Sequence, residues 1–241
     1  MLIASFPAGP FQTNCYVVAA EEGGECIVID PGMGAAERAL EVVAAQRLSP
    51  VAVIATHGHI DHVASVAGLC AVWDVPAYIH PADRDMLAQR FDRIGIPGAA
   101  EMLRQLMGTD ALTAPQRVHD LVDGTVLELA GLPLTLTHAP GHTPGSTLLT
   151  TPYAEAGPQV DRIVFSGDVL FAGSIGRTDL PGGSHPTMLD TLRTRVLPLS
   201  DTAAVLPGHG AQTTMARERA TNPYLQPAML AADAGTPEET A

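Results

Sequence analysis

Cysteine, charge and long apolar runs are all scarce in this chain of 241 residues, and each shortage argues against a class of protein. Its three cysteines, Cys15, Cys26 and Cys70, are an odd number, form no C-x-x-C and each fall within an apolar strand or helix pattern. That pattern predicts buried reduced thiols and argues against a disulfide scaffold or a redox motif. Charged residues make up only 16% and the formal balance is −13, so no basic face is available for nucleic acid. No apolar run reaches the length of a membrane span. The start, Met1-Leu-Ile-Ala-Ser-Phe-Pro7, lacks the basic residues and apolar stretch of a signal peptide, so a cytoplasmic protein is expected. What the chain does have is a 46% hydrophobic content, enough for one ordered, compact domain of α/β size. Part of its acidity fits carboxylates that a bound cation would offset.

The densest chemistry lies in Thr56-His57-Gly58-His59-Ile60-Asp61-His62. The apolar run Val51–Ile54 before it reads as a buried strand, and Val63–Trp73 after it reads as a helix. Three histidines and an aspartate therefore occupy the loop at a strand's C-terminal end, where α/β folds place their chemistry. In an extended loop, side chains two apart point the same way, so His57 and His59 can grip one ion. Asp61 and His62 are adjacent and point elsewhere, which suits a second ion close by.

Elsewhere the chain alternates short strands with helices. Strands are predicted at Leu2–Phe6, Thr13–Ala19, Glu25–Ile29 and Ala77–Ile79, with a helix over Ala35–Arg47. Gly32-x-Gly34 after a strand imitates a dinucleotide fingerprint, but Glu37 stands at the third glycine position and Asp30 where phosphate would approach. Asp30 is instead expected beside the histidine loop, accepting from a ligand imidazole. A helix from Pro81 to Arg90, with Leu87, Phe91 and Ile94 at helical spacing, is followed by a second bearing Leu103, Leu106 and Met107. This Met-rich pair lies outside the βα rhythm and either shapes a substrate pocket or packs as core or dimer contact. A second β-rich half spans Arg117–His119, Val126–Leu129, Leu132–Thr137, Ser146–Thr150 and Ile163–Phe165. It ends in a helix over Pro186–Val196, a strand over Ala203–Leu206 and a helix over Thr213–Ala220. Two sheets face to face with helices outside are expected, over a domain of residues 1–225. Residues 226–241 are taken as a C-terminal tail, expected to fray because from about Ala231 onward they are small, acidic and turn-prone.

Three downstream loops offer further donors. His142 sits in the stiffened turn Ala139-Pro-Gly-His-Thr-Pro-Gly-Ser146, Asp168 follows an apolar strand, and His209 follows another in Leu206-Pro-Gly-His209. With the first loop they make seven nitrogen and oxygen donors of the kind zinc, iron or manganese accept, a set sized for two ions. The remaining histidines, His80, His119, His138 and His185, match no position in this series.

The series His57-x-His59-x-Asp61-His62, His142, Asp168 and His209 resembles that of the metallo-β-lactamase superfamily, and within it the short hydroxyacylglutathione hydrolase (glyoxalase II) type. Asn14-Cys-Tyr16, Ile29-Asp-Pro-Gly32, Gly167-Asp-Val-Leu-Phe171, Gly176-Arg-Thr-Asp179 and Thr221-Asn-Pro223 support the likeness. The resemblance implies an αβ/βα four-layer sandwich with a site for two divalent cations, zinc first and iron or manganese next. One cation would take His57, His59 and His142, the other Asp61, His62 and His209, with Asp168 bridging; Asp61 and Asp168 are the catalytic carboxylates it implies. Such a pair supplies hydroxide at neutral pH for attack on a thioester carbonyl. No G-x-S-x-G elbow or Cys/His pair competes as nucleophile.

Departures narrow the expectation. The commonest β-lactamase group has cysteine where Asp168 stands, which argues against antibiotic hydrolysis. Only 32 residues follow His209, so the helical C-terminal domain of full-length glyoxalase II is not expected in this chain. Where the family offers lysine and tyrosine to the thiol, this chain has Arg177 and Asp179. Arg177 either clamps a substrate carboxylate through its planar fork or pairs with Asp179. The thiol carrier is thus glutathione or another small thiol. Persulfide dioxygenases share the Gly-Arg-Thr-Asp loop and would use one iron on His57, His142 and Asp168. Another hydrolase of the same fold is a further reading, while a non-enzymatic binding module fits poorly with an intact donor set. A small-molecule thioester partner and a monomer or homodimer complete the expectation.

Overall fold

A computed structural model describes residues 1–153 and 160–231. Strands β1 (Leu2–Ala8), β2 (Thr13–Ala19), β3 (Glu25–Ile29), β4 (Ser49–Ile54), β5 (Ala77–Ile79) and β6 (Val118–Asp120) form one sheet in chain order. Its first three strands are antiparallel, and β3 to β6 are parallel. The second half contributes β7 (Val126–Leu129), β8 (Leu132–His138), β9 (Thr147–Pro152) and β10 (Arg162–Gly167). A two-stranded hairpin of β11 (Leu170–Phe171) and β12 (Ser174–Ile175) follows, then β13 (Ala203–Pro207) and β14 (Thr213–Thr214). This second sheet runs in the order β14-β13-β10-β9-β8-β7 and is also mixed, with β10 parallel to β13.

The period-two alternation of the strands decides which side of each sheet is which. On β2, Tyr16 and Val18 face the opposite sheet and pack with Ile27, Ile29, Ile54, Leu134, Leu149 and Phe165. Cys15, Val17 and Ala19 on the same strand point outward with Cys26 and Val28, against Val43 of α1 (Ala36–Ala45). Further along that face, α2 (Ile60–Val63) and α3 (Val66–Trp73) cover Val53, Ala77 and Ile79. Next in the chain comes α4 (Ala99–Met107). On the far side of the second sheet, α5 (His185–Thr191), its wider-wound continuation Leu192–Val196, α6 (Met215–Thr221) and α7 (Pro227–Ala231) pack on Leu148, Val164 and Val205. The four layers expected from the sequence are therefore present. No helix among the described residues is long and apolar enough to cross a membrane.

Three local expectations need correction. The segment after Pro81 is a 3₁₀ helix, Pro81–Ala88, not an α-helix. Residues three apart eclipse in this tighter turn, so Asp83 and Met86 share the face turned toward Gly58. In α4 Ala99 and Leu103 are buried, joining Met33 and Phe91, whereas Leu106 is 51% exposed. The tail boundary at residue 226 falls before a helix: Pro227–Ala231 is helical, Leu230 is buried, and Arg193 Nε donates to the Leu230 carbonyl at 2.9 Å. Proline at the first helical position and an inward leucine hold this turn. The rest of the expected tail, 232–241, lies outside the described residues.

Candidate metal centre

The donor side chains project from loops at the ends of β4, β8, β10 and β13, at one edge of the sandwich. Backbone approach there is close enough to exclude side chains. A Cβ on Gly208 would lie 2.1 Å from Asp168 Oδ1 and 2.6 Å from His62 Cε1, so only glycine lets His209 enter the cluster. Asn14 and Tyr16, noted for their pattern, stitch this edge together. The Asn14 amide donates to the Gly208 carbonyl at 2.7 Å, and Tyr16 Oη donates to the Pro207 carbonyl at 2.6 Å.

Asp30 holds the first loop as expected. At φ +50°, it accepts from the Thr56 amide and hydroxyl, each at 2.7 Å, and lies 3.0 Å from His62 Nδ1. Three other imidazoles are oriented in the same manner. His142 Nδ1 lies 2.7 Å from the Arg177 carbonyl, and His209 Nδ1 lies 3.1 Å from that of Phe11. His57 Nδ1 lies 3.2 Å from Thr56 Oγ1. In these four rings an acceptor occupies Nδ1 and leaves Nε2 facing inward, the arrangement that fixes a histidine as a metal ligand; His59 instead turns its Nδ1 toward the cluster.

The inward atoms meet in threes. His57, His59 and His142 form one group; Asp61, His62 and His209 form another; His57, His62 and Asp168 lie between them. Within each group the ligating atoms are within 4.8 Å of one another. His59 Nδ1 and His142 Nε2 are 2.8 Å apart, and His62 Nε2 and His209 Nε2 are 3.3 Å apart. Asp168 reaches both sides, with Oδ1 3.3 Å from His62 Nε2 and Oδ2 3.5 Å from His142 Nε2 and 3.4 Å from His209 Nε2. Asp61 Oδ2 lies 3.2 Å from His209 Nε2 and accepts from Thr13 Oγ1 at 3.0 Å.

This donor set fits cations. His57 Nε2 and Asp168 Oδ1 are buried without a hydrogen-bond partner among the described residues, a costly state that a metal bond removes. Burial pushes the His57 and His59 imidazoles down, His59 to about 4, keeping both neutral and able to coordinate. Burial works to raise the carboxyls of Asp61 and Asp168. His62 and His209 override it, holding Asp61 at about 2 and Asp168 well below the usual carboxylate range. Burial opposes charge on His209 too, yet Asp168 and Asp61 lift it to about 9. Protons on His62 and His209 thus balance the carboxylates in the place where a cation would do so.

One organising residue carried no signal in the sequence. Asp83 is fully buried and accepts from the Gly58 amide at 2.9 Å, the Thr143 hydroxyl at 2.6 Å and the Gly145 amide at 2.8 Å. It joins the His57–His59 loop to the His142 loop. Arg177 lies at the cavity rim, and its guanidinium forms a two-pronged pair with Asp179 at 2.7 and 2.8 Å. Of the other histidines, His80 and His138 stack on each other at 4.0 Å, His119 lies against Tyr78, and His185 Nδ1 is 3.4 Å from Thr178 Oγ1.

A cavity of about 540 Å³ opens onto the cluster. Its floor includes His59, Asp61, His142, Asp168 and His209, and its walls include Met86, Ile94, Ile96, Met102 and Leu103. The Met-rich segment after Pro81 therefore shapes this pocket, while Phe91 and Leu103 also contribute core.

Residues 8–209 match the family described as the metallo-β-lactamase superfamily. An uncharacterised protein of Mycobacterium tuberculosis is 40% identical over 94% of this chain and 98% of its own. A protein of Haemophilus influenzae described as hydroxyacylglutathione hydrolase GloC is 34% identical, covering 93% of this chain and 98% of its own. Among solved structures, one described as the B3 metallo-β-lactamase BLEG-1 superposes with a TM-score of 0.77 at 34% identity, covering 93% and 99%. One described as TTHA1623 in a di-iron-bound form gives 0.71 at 35% identity, covering 93% and 100%. ETHE1 from Myxococcus xanthus, at 23% identity, 0.69 and coverage of 92% and 84%, shares the fold.

Proposed function

The chain belongs to the metallo-β-lactamase superfamily, and we propose that it is a dinuclear metallohydrolase that, like the hydroxyacylglutathione hydrolases, cleaves acyl thioesters, the thiol being glutathione or another small carrier. The carrying observation is the meeting of its inward donor atoms as His57, His59 and His142 on one side and Asp61, His62 and His209 on the other. These trios would each hold one divalent cation, and Asp168, which reaches both sides, would bridge them. When bound, such cations supply hydroxide from water at neutral pH and stabilise negative charge on a carbonyl oxygen. The reaction consumes one water: the acyl carbon exchanges its bond to sulfur for one to oxygen, giving a carboxylate, a thiol and one proton. The Arg177 carbonyl and Asp30 keep His142 and His62 aimed inward throughout, while the apolar wall limits bulk water. No cysteine lines the cavity; all three are buried, and burial lifts the thiols of Cys26 and Cys70 to about 12.

A single-iron dioxygenase on His57, His142 and Asp168 would leave Asp61, His62 and His209 without a task, although their ligating atoms converge as closely as the other trio. That favours two cations over one. Zinc and iron both suit the donors, and the likeness to a di-iron chain keeps iron in view. The cysteine argument against antibiotic hydrolysis speaks only to a cysteine-bearing group, so a β-lactam belongs among the substrates tried.

Metal content per chain, by mass spectrometry, is measured beside hydrolysis of S-lactoylglutathione, a β-lactam and oxygen uptake on glutathione persulfide. Two ions per chain with thioester turnover are expected. His59→Ala and Asp168→Ala should each abolish that turnover while the far-UV spectrum stays unchanged. One iron with oxygen uptake and no hydrolysis would overturn the assignment.

A further inference from the structure

We infer that the cavity over the cluster is built to hold an uncharged, apolar-bodied thiol carrier rather than an anionic one. This deepens the thioesterase reading and rests on it for the reaction, though not for the binding preference. The walls are Phe11, Ile60, Ile94, Met102, Phe171 and Leu180 among others. Phe11, Ile96 and Met102 are 43%, 39% and 42% exposed at the rim, places where a free surface would ordinarily carry polar side chains. Two of the lining residues, Met86 and Met102, are methionines, whose flexible thioethers fit varied apolar shapes.

A carrier with remote carboxylates needs cationic or hydrogen-bonding partners away from the reacting carbonyl. Histidines aside, Arg177 is the one cationic side chain among the described lining residues. Both prongs of its guanidinium are engaged by Asp179. The sequence contains no lysine, residues 154–159 and 232–241 contain no arginine, and Arg90 and Arg93 line a neighbouring depression beside Met86 and Gln89 rather than this cavity. A carboxylate drawn against this wall would lose hydration and find only the Gln89 amide as a neutral donor. The chain's charge of −13 adds a general repulsion toward anions.

The test is binding to the metal-loaded protein by calorimetry, with thioethers that cannot be hydrolysed. S-hexylglutathione is compared with S-methylglutathione and with the hexyl thioether of N-acetylcysteamine, a neutral thiol. The expected order is the neutral hexyl compound at least tenfold tighter than S-hexylglutathione, and S-hexylglutathione tighter than S-methylglutathione. Met102→Glu, at an exposed position, should weaken the neutral ligand at least tenfold. Tighter binding of S-hexylglutathione than of the neutral compound, or a Met102→Glu protein with unchanged affinity, would overturn the inference. Hydrolysis of the matching hexanoyl thioesters is followed in parallel. The expected binding order without turnover of any thioester would remove the thioesterase reading and leave the cavity's preference standing.

Discussion

Asp83 does for two loops what Asp30 does for one. Its two oxygens serve donors 25 residues back and 60 and 62 residues ahead in the chain, binding Gly58 to Thr143 and Gly145. Replacing it with asparagine keeps the shape but sets an amide N–H₂ against backbone N–H donors. Loss of residues that orient metal ligands typically costs about 10–100-fold in metal affinity, and a loss of that order is expected in Asp83→Asn. Competition titration against a chelating dye would measure it, and an unchanged affinity would show that the loops hold themselves. This residue also marks where the sequence stops being informative. His57, His59, Asp61 and His62 were legible because four donors crowd into six positions, and His142, Asp168 and His209 because each repeats a strand-then-loop placement. Asp83 sits in Pro81-Ala-Asp83-Arg84, a common helix-start pattern, and its partners are backbone groups that no side-chain motif announces. Arg177 was legible as a position but not as a state: only the fold decides that its fork meets Asp179.

At the scale of elements, the long strands could be read because alternation over five to seven residues has one interpretation. β2 and β3 begin and end where the pattern puts them. The β11–β12 hairpin has strands of two residues each, too short to show any period. It is held by tertiary contacts, with Asn222 Nδ2 donating to the Ser174 carbonyl at 3.0 Å and the buried Glu218 accepting from the Gly173 amide at 2.8 Å. That gives the pattern Thr221-Asn-Pro223 a structural meaning. α7 escaped for a related reason: five residues cannot establish a helical face, and only the docking of Leu230 against the second sheet's helices makes the turn stable. Leu230→Ala should therefore cost stability as a buried leucine does, about 2–5 kcal/mol, read as a lower urea midpoint with an unchanged slope. An effect below about 0.5 kcal/mol, the size of an ordinary surface change, would mean that α7 is a passenger.

For the whole molecule, the two face-to-face sheets could be foreseen, but not the register in which their edges bring the loops together, which decides the site. Four of the seven donors come from the first half of the chain and three from the second. If cations bind the folded protein alone, their removal must lower its stability. At a hundredfold excess of free cation over Kd, one site contributes about 2.7 kcal/mol, which for a chain of this size corresponds to a Tm shift of roughly 5–10 °C. A thermal melt before and after chelation, and again after metal is returned, should show that fall and its recovery; verified removal without a shift would contradict the centre proposed here. Each trio takes two donors from before Asp120 and one from after Val126. Neither half alone can finish either trio, so an ion retained by a newly made chain certifies that both halves have met in register. The centre is then a proofreader of assembly as well as a place for chemistry, and a cell short of metal would be left with protein that is made but never signed off.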